Sequence, residues 1–394
     1  MGVNRVPVGL CLAGLWAAIA LAASPLGARQ AAPGGQQAAQ EHAAAQAGAP
    51  GERPFKNIQV LKDFSHTQVL EGMQYITVAL GQRCEFCHNT KDFSNDDKKE
   101  KQTARKMMTM LLAIDKDNFN GRTEVSCYTC HQGRNQPVAA PMPPGGEAPE
   151  PVSAATMPEP KQIEPPAGAP IPTVAAILAR YKDAMGAGAA AASLMLDVER
   201  SGGGNQQAIA EQIYQKAPNK VLTVLHLRQA TLSAGFDGTK AWAASPRGSG
   251  DISGMQAIQV TRAGPVNPAE LDAYTGKRLA AMVQLGDKKA YLVMGKAPDG
   301  NLEELYFDAD SGLLLRQAIV YRTIFGSLLY AIDYSDYRSQ DGLKIAFRRD
   351  WWAGGHGWSE TVKSVQANAP VTDAQFEPPP SPAQPAPASP GSGR

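Results

Sequence analysis

Four cysteines and two histidines fall in two copies of one pattern, Cys84-Glu85-Phe86-Cys87-His88 and Cys127-Tyr128-Thr129-Cys130-His131. Cys-x-x-Cys-His is the attachment signature of c-type haem. On one helical turn both thiols point to the same side, where each can add to a haem vinyl group. The histidine directly after the second cysteine then lies under the iron and supplies the proximal imidazole. The pattern predicts two covalently bound haem c groups, held through Cys84, Cys87, Cys127 and Cys130, with His88 and His131 on the irons.

A zinc site uses the same residue types as tetrahedral ligands. It needs two converging knuckles, whereas here one histidine follows the second cysteine both times. Disulfides within Cys-x-x-Cys would close tiny loops and add little stability. The fifth cysteine, Cys11, stands apart in an apolar N-terminal run, and Leu10 before it argues against a lipidation site.

An iron held by histidine needs a sixth ligand, and methionine there raises the potential relative to histidine. Each motif follows a helical pattern that carries methionine. From Ser65 onward, Val69, Leu70, Met73, Ile76, Thr77 and Leu80 fall on one stripe, which Gly81 ends. A second helix is expected to open near Thr103, with Met107, Met110, Leu111 and Ile114 on one face and Met108 pointing away. Met73 is the candidate for one iron, and Met107, with Met110 as its rival, for the other. His66 lies two turns before Met73 and is expected to cap the helix or face solvent. Lys91 to Lys106 mixes both signs and reads as a solvated connection.

Beyond these helices the period changes. Lys220–Leu227 is strongly β-prone, and Leu305–Arg316 and Ile319–Arg322 read as strands around Asp310-Ser311-Gly312. Asp237-Gly238, Asp299-Gly300 and Asp341-Gly342 are hairpin signals between apolar runs. One helix, Val174–Met185, precedes them. Consecutive hairpins with few helices imply a mainly antiparallel sheet. The fold class is therefore multidomain: a small α-helical diheme cytochrome c domain, then an α+β domain with a large antiparallel sheet.

Arg5 and the apolar run Val6–Ala23 read as an export signal over residues 1–28, with an uncleaved inner-membrane anchor as the alternative. Residues 29–51, rich in Ala, Gln and Gly, are expected to be disordered. The haem domain spans 52–136, a Pro-rich spacer 137–172, the sheet domain 173–377 and a Pro-rich tail 378–394. The two domains are expected to separate cleanly. Export places the protein in the periplasm, where haem is attached to thiols. A net charge of +1 leaves no electrostatic footprint for nucleic acid, and membrane association would run through the N-terminus.

The segment from Ile58-Gln59-Val60-Leu61 through Met73 to Cys84–Asn89, and then from Ala104-Arg105-Lys106-Met107 to Cys127–Gly133, resembles the cytochrome c subunit of photosynthetic reaction centres. The resemblance covers about 80 residues. It implies that the methionine of the preceding helix is the sixth ligand, which favours Met107 over Met110. Members of that family carry four haems; this sequence has motifs for two. The second domain weakly resembles the periplasmic lipoprotein-carrier fold through Phe236–Trp242, Tyr306–Asp308 to Gly312-Leu313, and Asp333-Tyr334 to Asp341-Gly342. That likeness implies a curved sheet whose concave face could hold an apolar ligand, against a plain interaction scaffold. Trp351, Trp352 and Trp358 are expected to pack in the core, and His226 and His356 to carry no chemistry.

A methionine for each iron favours an electron carrier without catalysis, serving redox proteins as donor and acceptor. The alternatives are a haem enzyme with one labile iron ligand, or a lipid- or quinone-binding module with an attached redox domain.

Overall fold

Ser65 starts the first helix, α1 (His66–Leu80), with a reciprocal pair of hydrogen bonds: its hydroxyl accepts from the Gln68 amide while the Gln68 side chain accepts from the Ser65 N–H. Gly81 ends it in the left-handed region at φ 61°. The two motifs form single turns, α2 (Cys84–Cys87) and α4 (Cys127–His131), on either side of α3 (Lys99–Phe119). Structural detail comes from a computed structural model that describes residues 55–137 and 157–380, except 167, 169, 187–190, 203–204, 247, 341 and 354–355. The expected signal segment, residues 29–51, most of the spacer and residues 381–394 lie outside the described residues. No helix among the described residues is long and apolar enough to cross a membrane.

Helix α3 opens at Lys99 rather than near Thr103, because the charges before it fold inward. Lys101 is buried and donates to the Phe93 and Asn95 carbonyls at 2.9 and 2.7 Å. Asp96 takes ion pairs from Lys101 and Arg105, both at 2.9 Å. Most of the Lys91–Lys106 stretch is exposed, as a solvated connection would be, but it is folded into a turn and the start of α3.

The next helix, α5, spans Val174–Met185 as expected. The strands are β1 Lys161–Ile163, β2 Ser193–Gly202, β3 Asn205–Lys216, β4 Lys220–His226, β5 Thr231–Phe236, β6 Ala241–Ser245 and β7 Gly248–Ile252. After α6 (Gly254–Thr261) and α7 (Pro268–Asp272) come β8 Thr275–Leu285, β9 Lys288–Lys296, β10 Leu302–Asp308, β11 Leu314–Thr323, β12 Gly326–Gln340, β13 Leu343–Ala353 and β14 His356–Ala367. Among the described residues they form one open, curved antiparallel sheet, ordered β1-β8-β9-β10-β11-β12-β13-β14-β2-β3-β4-β5-β6-β7. The Asp237-Gly238 and Asp299-Gly300 turns sit where the sequence signals them, joining β5 to β6 and β9 to β10. The Asp310-Ser311-Gly312 turn joins β10 to β11, with the strands bounded a few residues differently from expectation.

Alternation divides the sheet into two faces. On the inner face Leu305, Phe307, Ile319, Tyr321, Tyr330 and Ile332 share one core with α5 and α6. That core continues into the haem-motif segment through Leu61, Val69, Tyr75, Ala79, Met108 and Leu111. The described residues fall in one compact unit, with the core running across the expected domain boundary. Apolar burial is shared across the boundary, and neither side completes its core alone. On the outer face, Leu292, Met294, Tyr306, Ala318 and Ala331 pack against Met157. The Pro-rich tract is thus not a free spacer throughout. Its Lys161–Ile163 segment pairs with β8, and the Pro158 carbonyl accepts from the buried Arg316 guanidinium at 2.7 Å.

A row of polar side chains crosses the inner face at right angles to the strands. Glu303 accepts from Tyr274, Arg262 and Gln317; Gln317 accepts from Tyr334; and Arg349, register partner of Tyr334, pairs with Glu360 at 2.7 Å. Trp351 and Trp358 stack in the core at 5.2 Å, as expected.

Candidate haem-binding site

Each motif turn is braced by the helix of the other repeat. α2 packs on α3, where the Lys98 ammonium donates to the Glu85 carbonyl. α4 packs on α1, where the Gly133 N–H donates to the Ala79 carbonyl at 2.9 Å. The Tyr75 hydroxyl of α1 hydrogen-bonds Ser126, the residue that caps α4. The six motif residues and both methionine helices are thus brought into one small helical cluster.

The two histidines differ in their support. His131 Nδ1 lies 2.9 Å from the Arg134 carbonyl. As a donor there, Nδ1 carries the proton and leaves Nε2 with a free lone pair, the arrangement found at metal-ligating imidazoles. His88 Nδ1 is buried without a hydrogen-bond partner, and its ring lies 5.2 Å from Phe93. Burial holds the His88 imidazole below its usual pKa, against the opposing pull of the Phe93 backbone. Burial also pushes the Cys127 thiol up to about 11 and the Cys87 thiol upward.

The helices turn a different stripe to the core than the sequence pattern suggested. On α1 the buried positions are Val69, Glu71, Gly72, Tyr75 and Ala79; Met73, Ile76 and Leu80 are half-buried and Leu70 is exposed. On α3 Met108 is in the core at 7% exposure, while Met107 and Met110 are open at 42% and 48%. Met108 does point away from Met107, but into the core, which faces opposite to the side expected. On α3 the proposed ligand side is left uncovered, whereas on α1 Met73 is half-buried and packs against the edge of the core. Phe93 and Tyr128 are exposed nearby in sequence to the two motifs. With the exposed thiols of Cys84 and Cys130, these side chains offer apolar surface that a porphyrin would cover. The residues therefore fit haem: Cys84, Cys87, Cys127 and Cys130 would attach it, His88 and His131 would hold the iron, and thioether sulfurs are available from half-buried Met73 and exposed Met107. The zinc alternative fits less well, because no three residues of metal-ligating type are gathered among the described residues.

Sequence reasoning missed Glu71. Its carboxylate, 4% exposed, accepts from the Tyr321 hydroxyl at 2.7 Å and from the Met255 N–H at the start of α6 at 3.0 Å. Its only signal was an acidic residue inside an otherwise apolar run.

Residues 23–157 match the family described as photosynthetic reaction centre cytochrome C subunit. The helical segment resembles that family. The photosynthetic reaction center cytochrome c subunit of Thermochromatium tepidum is 32% identical over 102 residues, 25% of this chain and 25% of that protein. Cytochrome c-554 of Chloroflexus aurantiacus is 35% identical over 82 residues, 19% of this chain and 20% of the relative. The chain thus spans about a quarter or less of the length of these relatives. A LolA superfamily protein from Nitrosomonas europaea aligns over 52% of this chain and 98% of its own, at 12% identity and a TM-score of 0.40. A DUF1329 family protein from Desulfovibrio piger aligns over 51% and 94%, at 13% identity and a TM-score of 0.38.

Proposed function

We propose that the chain is a periplasmic electron carrier with two covalently bound haem c groups, each iron held by histidine and methionine. The observation that carries this reading is the pair of Cys-x-x-Cys-His turns, braced reciprocally by the two helices whose Met73 and Met107 lie outside the buried stripe. A bound haem supplies a one-electron ferric/ferrous couple. The chain fixes the macrocycle through Cys84 and Cys87, and through Cys127 and Cys130. His88 and His131 would each hold an iron through an imidazole nitrogen, and Met73 and Met107 would each offer it a thioether sulfur. A methionine available for each iron would leave no ligand position for a substrate, which supports a carrier over an enzyme. Each transfer takes one electron from a reduced donor protein and gives it to an oxidised acceptor. The row of buried ion pairs and hydrogen bonds across the inner sheet face supports a scaffold role for the sheet over a carrier of acyl chains.

Mass spectrometry of the exported full chain tests the reading. Two covalent haem additions are expected, and a chain holding zinc on free thiols overturns it.

A further inference from the structure

The face of α1 that flanks Met73 is gripped by the sheet. At Glu71 the carboxylate bridges Tyr321 on β11 and the first turn of α6. Gly254, at φ 58°, permits that bridge, since a Cβ there would overlap the Glu71 carboxylate. At Gly72 an added Cβ would lie 3.1 Å from both the Ile324 and Phe325 side chains in the β11–β12 turn. Phe325 is fully buried. At Tyr75 the ring lies over Gly326, where any Cβ would collide with it. Thr67 adds a hydroxyl contact to Ser253 at 3.2 Å. The contacts at 71, 72 and 75 straddle residue 73 within little more than one helical turn.

From this geometry we infer that the sheet clamps the helix that carries the Met73 ligand, with Glu71 and Gly72 as positioning residues for its sulfur. The inference rests on the haem reading above and adds a role for the sheet. A helix free to roll or slide would present the sulfur at variable distance, and a thioether is a weak ligand that a small displacement can break. Two hydrogen bonds to a buried carboxylate and a side-chain-free contact at Gly72 fix both the rotation and the height of the helix. The cost of a buried carboxylate is offset only while both donors are in place. Neither Tyr321 nor Glu71 touches the iron, so both act through Met73.

The test uses the full exported chain. Met73→Leu first identifies which haem loses its Met-to-iron charge-transfer band. If the parent chain lacks two haems or shows no such band, the haem reading fails before the clamp is tested. Tyr321→Phe and Glu71→Ala should weaken that band and lower the midpoint potential of the haem identified by Met73→Leu. The other haem should be unchanged. Glu71→Gln keeps an acceptor for Met255 N–H and Tyr321 and should restore band and potential. Gly72→Ala should act in the same direction as Glu71→Ala without touching a polar group. If Glu71→Ala fails to fold, Tyr321→Phe decides the matter, because it removes a single hydrogen bond. Variants that lower the melting temperature while leaving band and potential unaltered, or that shift both haems alike, overturn the clamp.

Discussion

The Gly133 N–H donates to the Ala79 carbonyl at 2.9 Å, so the chain just after the second motif is hydrogen-bonded to the last turn of α1. The approach is close enough that a Cβ on Gly81 would overlap the Gly133 carbonyl. Gly81 also holds φ 61°, which disfavours residues with a side chain. Gly81→Ala should therefore destabilise the protein by about 1–3 kcal/mol. Urea titration of the full chain should show a lower midpoint with an unchanged slope.

The second iron should take its sulfur from Met107. Met107→Leu should abolish the Met-to-iron band of the haem attached at Cys127 and Cys130, and Met110→Leu should leave it. Met110 is open to solvent and off the iron, so Met110→Leu should lower stability by no more than about 0.5 kcal/mol. The reverse pattern of bands would assign Met110 instead.

The two haems should differ in potential. His131 Nδ1 is held by a backbone carbonyl, whereas His88 Nδ1 has no hydrogen-bond partner. A hydrogen bond from the far ring nitrogen makes a ligating imidazole more basic and favours the oxidised iron. Redox titration should show two steps, the lower belonging to the haem on His131. Assignment by His131→Met, which should move only that step upward, checks the order.

Stability should fall as pH rises from mildly acidic to neutral. Glu211 is buried on β3, and burial, with the nearby Glu360 charge, pushes its carboxyl up to about 7 against the pull of Arg200 and Arg349. Burial likewise pushes Glu270 up to about 7. The folded state then binds a proton that the unfolded chain releases near the ordinary carboxylate pKa. Stability from each group is fully present below that value and is lost as pH rises through about 7, at roughly 1.4 kcal/mol per unit between the two. Glu211→Gln should flatten the slope of melting temperature between pH 5 and 7, with Glu270 sustaining what remains.

Truncation after Arg134 should fail to give a native haem domain. The cut exposes Val69 and Tyr75 and strips Glu71 of both donors. Each large apolar side chain returned to water costs about 1.5–3 kcal/mol, which a segment this small cannot absorb. Limited proteolysis of the truncated chain should cut within α1, while the full chain resists.

The local devices of this chain were legible in its sequence. Ser65 and Gly81 bound α1, a helix lies at Val174–Met185 where roughly that span was expected, and the Asp-Gly pairs 237–238 and 299–300 turn hairpins. These depend on neighbours a few positions away, which a sequence displays directly. What was not legible depends on distant partners. Nothing near Met108 says that it faces the core while Met107 does not, because both lie on apolar arcs of one helix and packing partners elsewhere in the core decide between them. Lys161–Ile163 reads as spacer because its reason for ordering is an apolar surface over a hundred residues later. The motif cysteines and histidines stand out in the sequence through their spacing alone. Glu71 was not, since its two donors come from residues 255 and 321.

The sheet is open, so its two outermost strands carry a risk of their own. A long, flat, apolar border would template pairing with another copy of the chain. Here one border is β1, only three residues long and beginning Lys161-Gln162. The other is β7, Gly248-Ser249-Gly250-Asp251-Ile252, with two glycines and an acid in five positions. Both borders are poor templates. A chain of this size can therefore stay unaggregated while its many long-range strand pairs form, and keep an unclosed sheet without recruiting a second molecule to complete it.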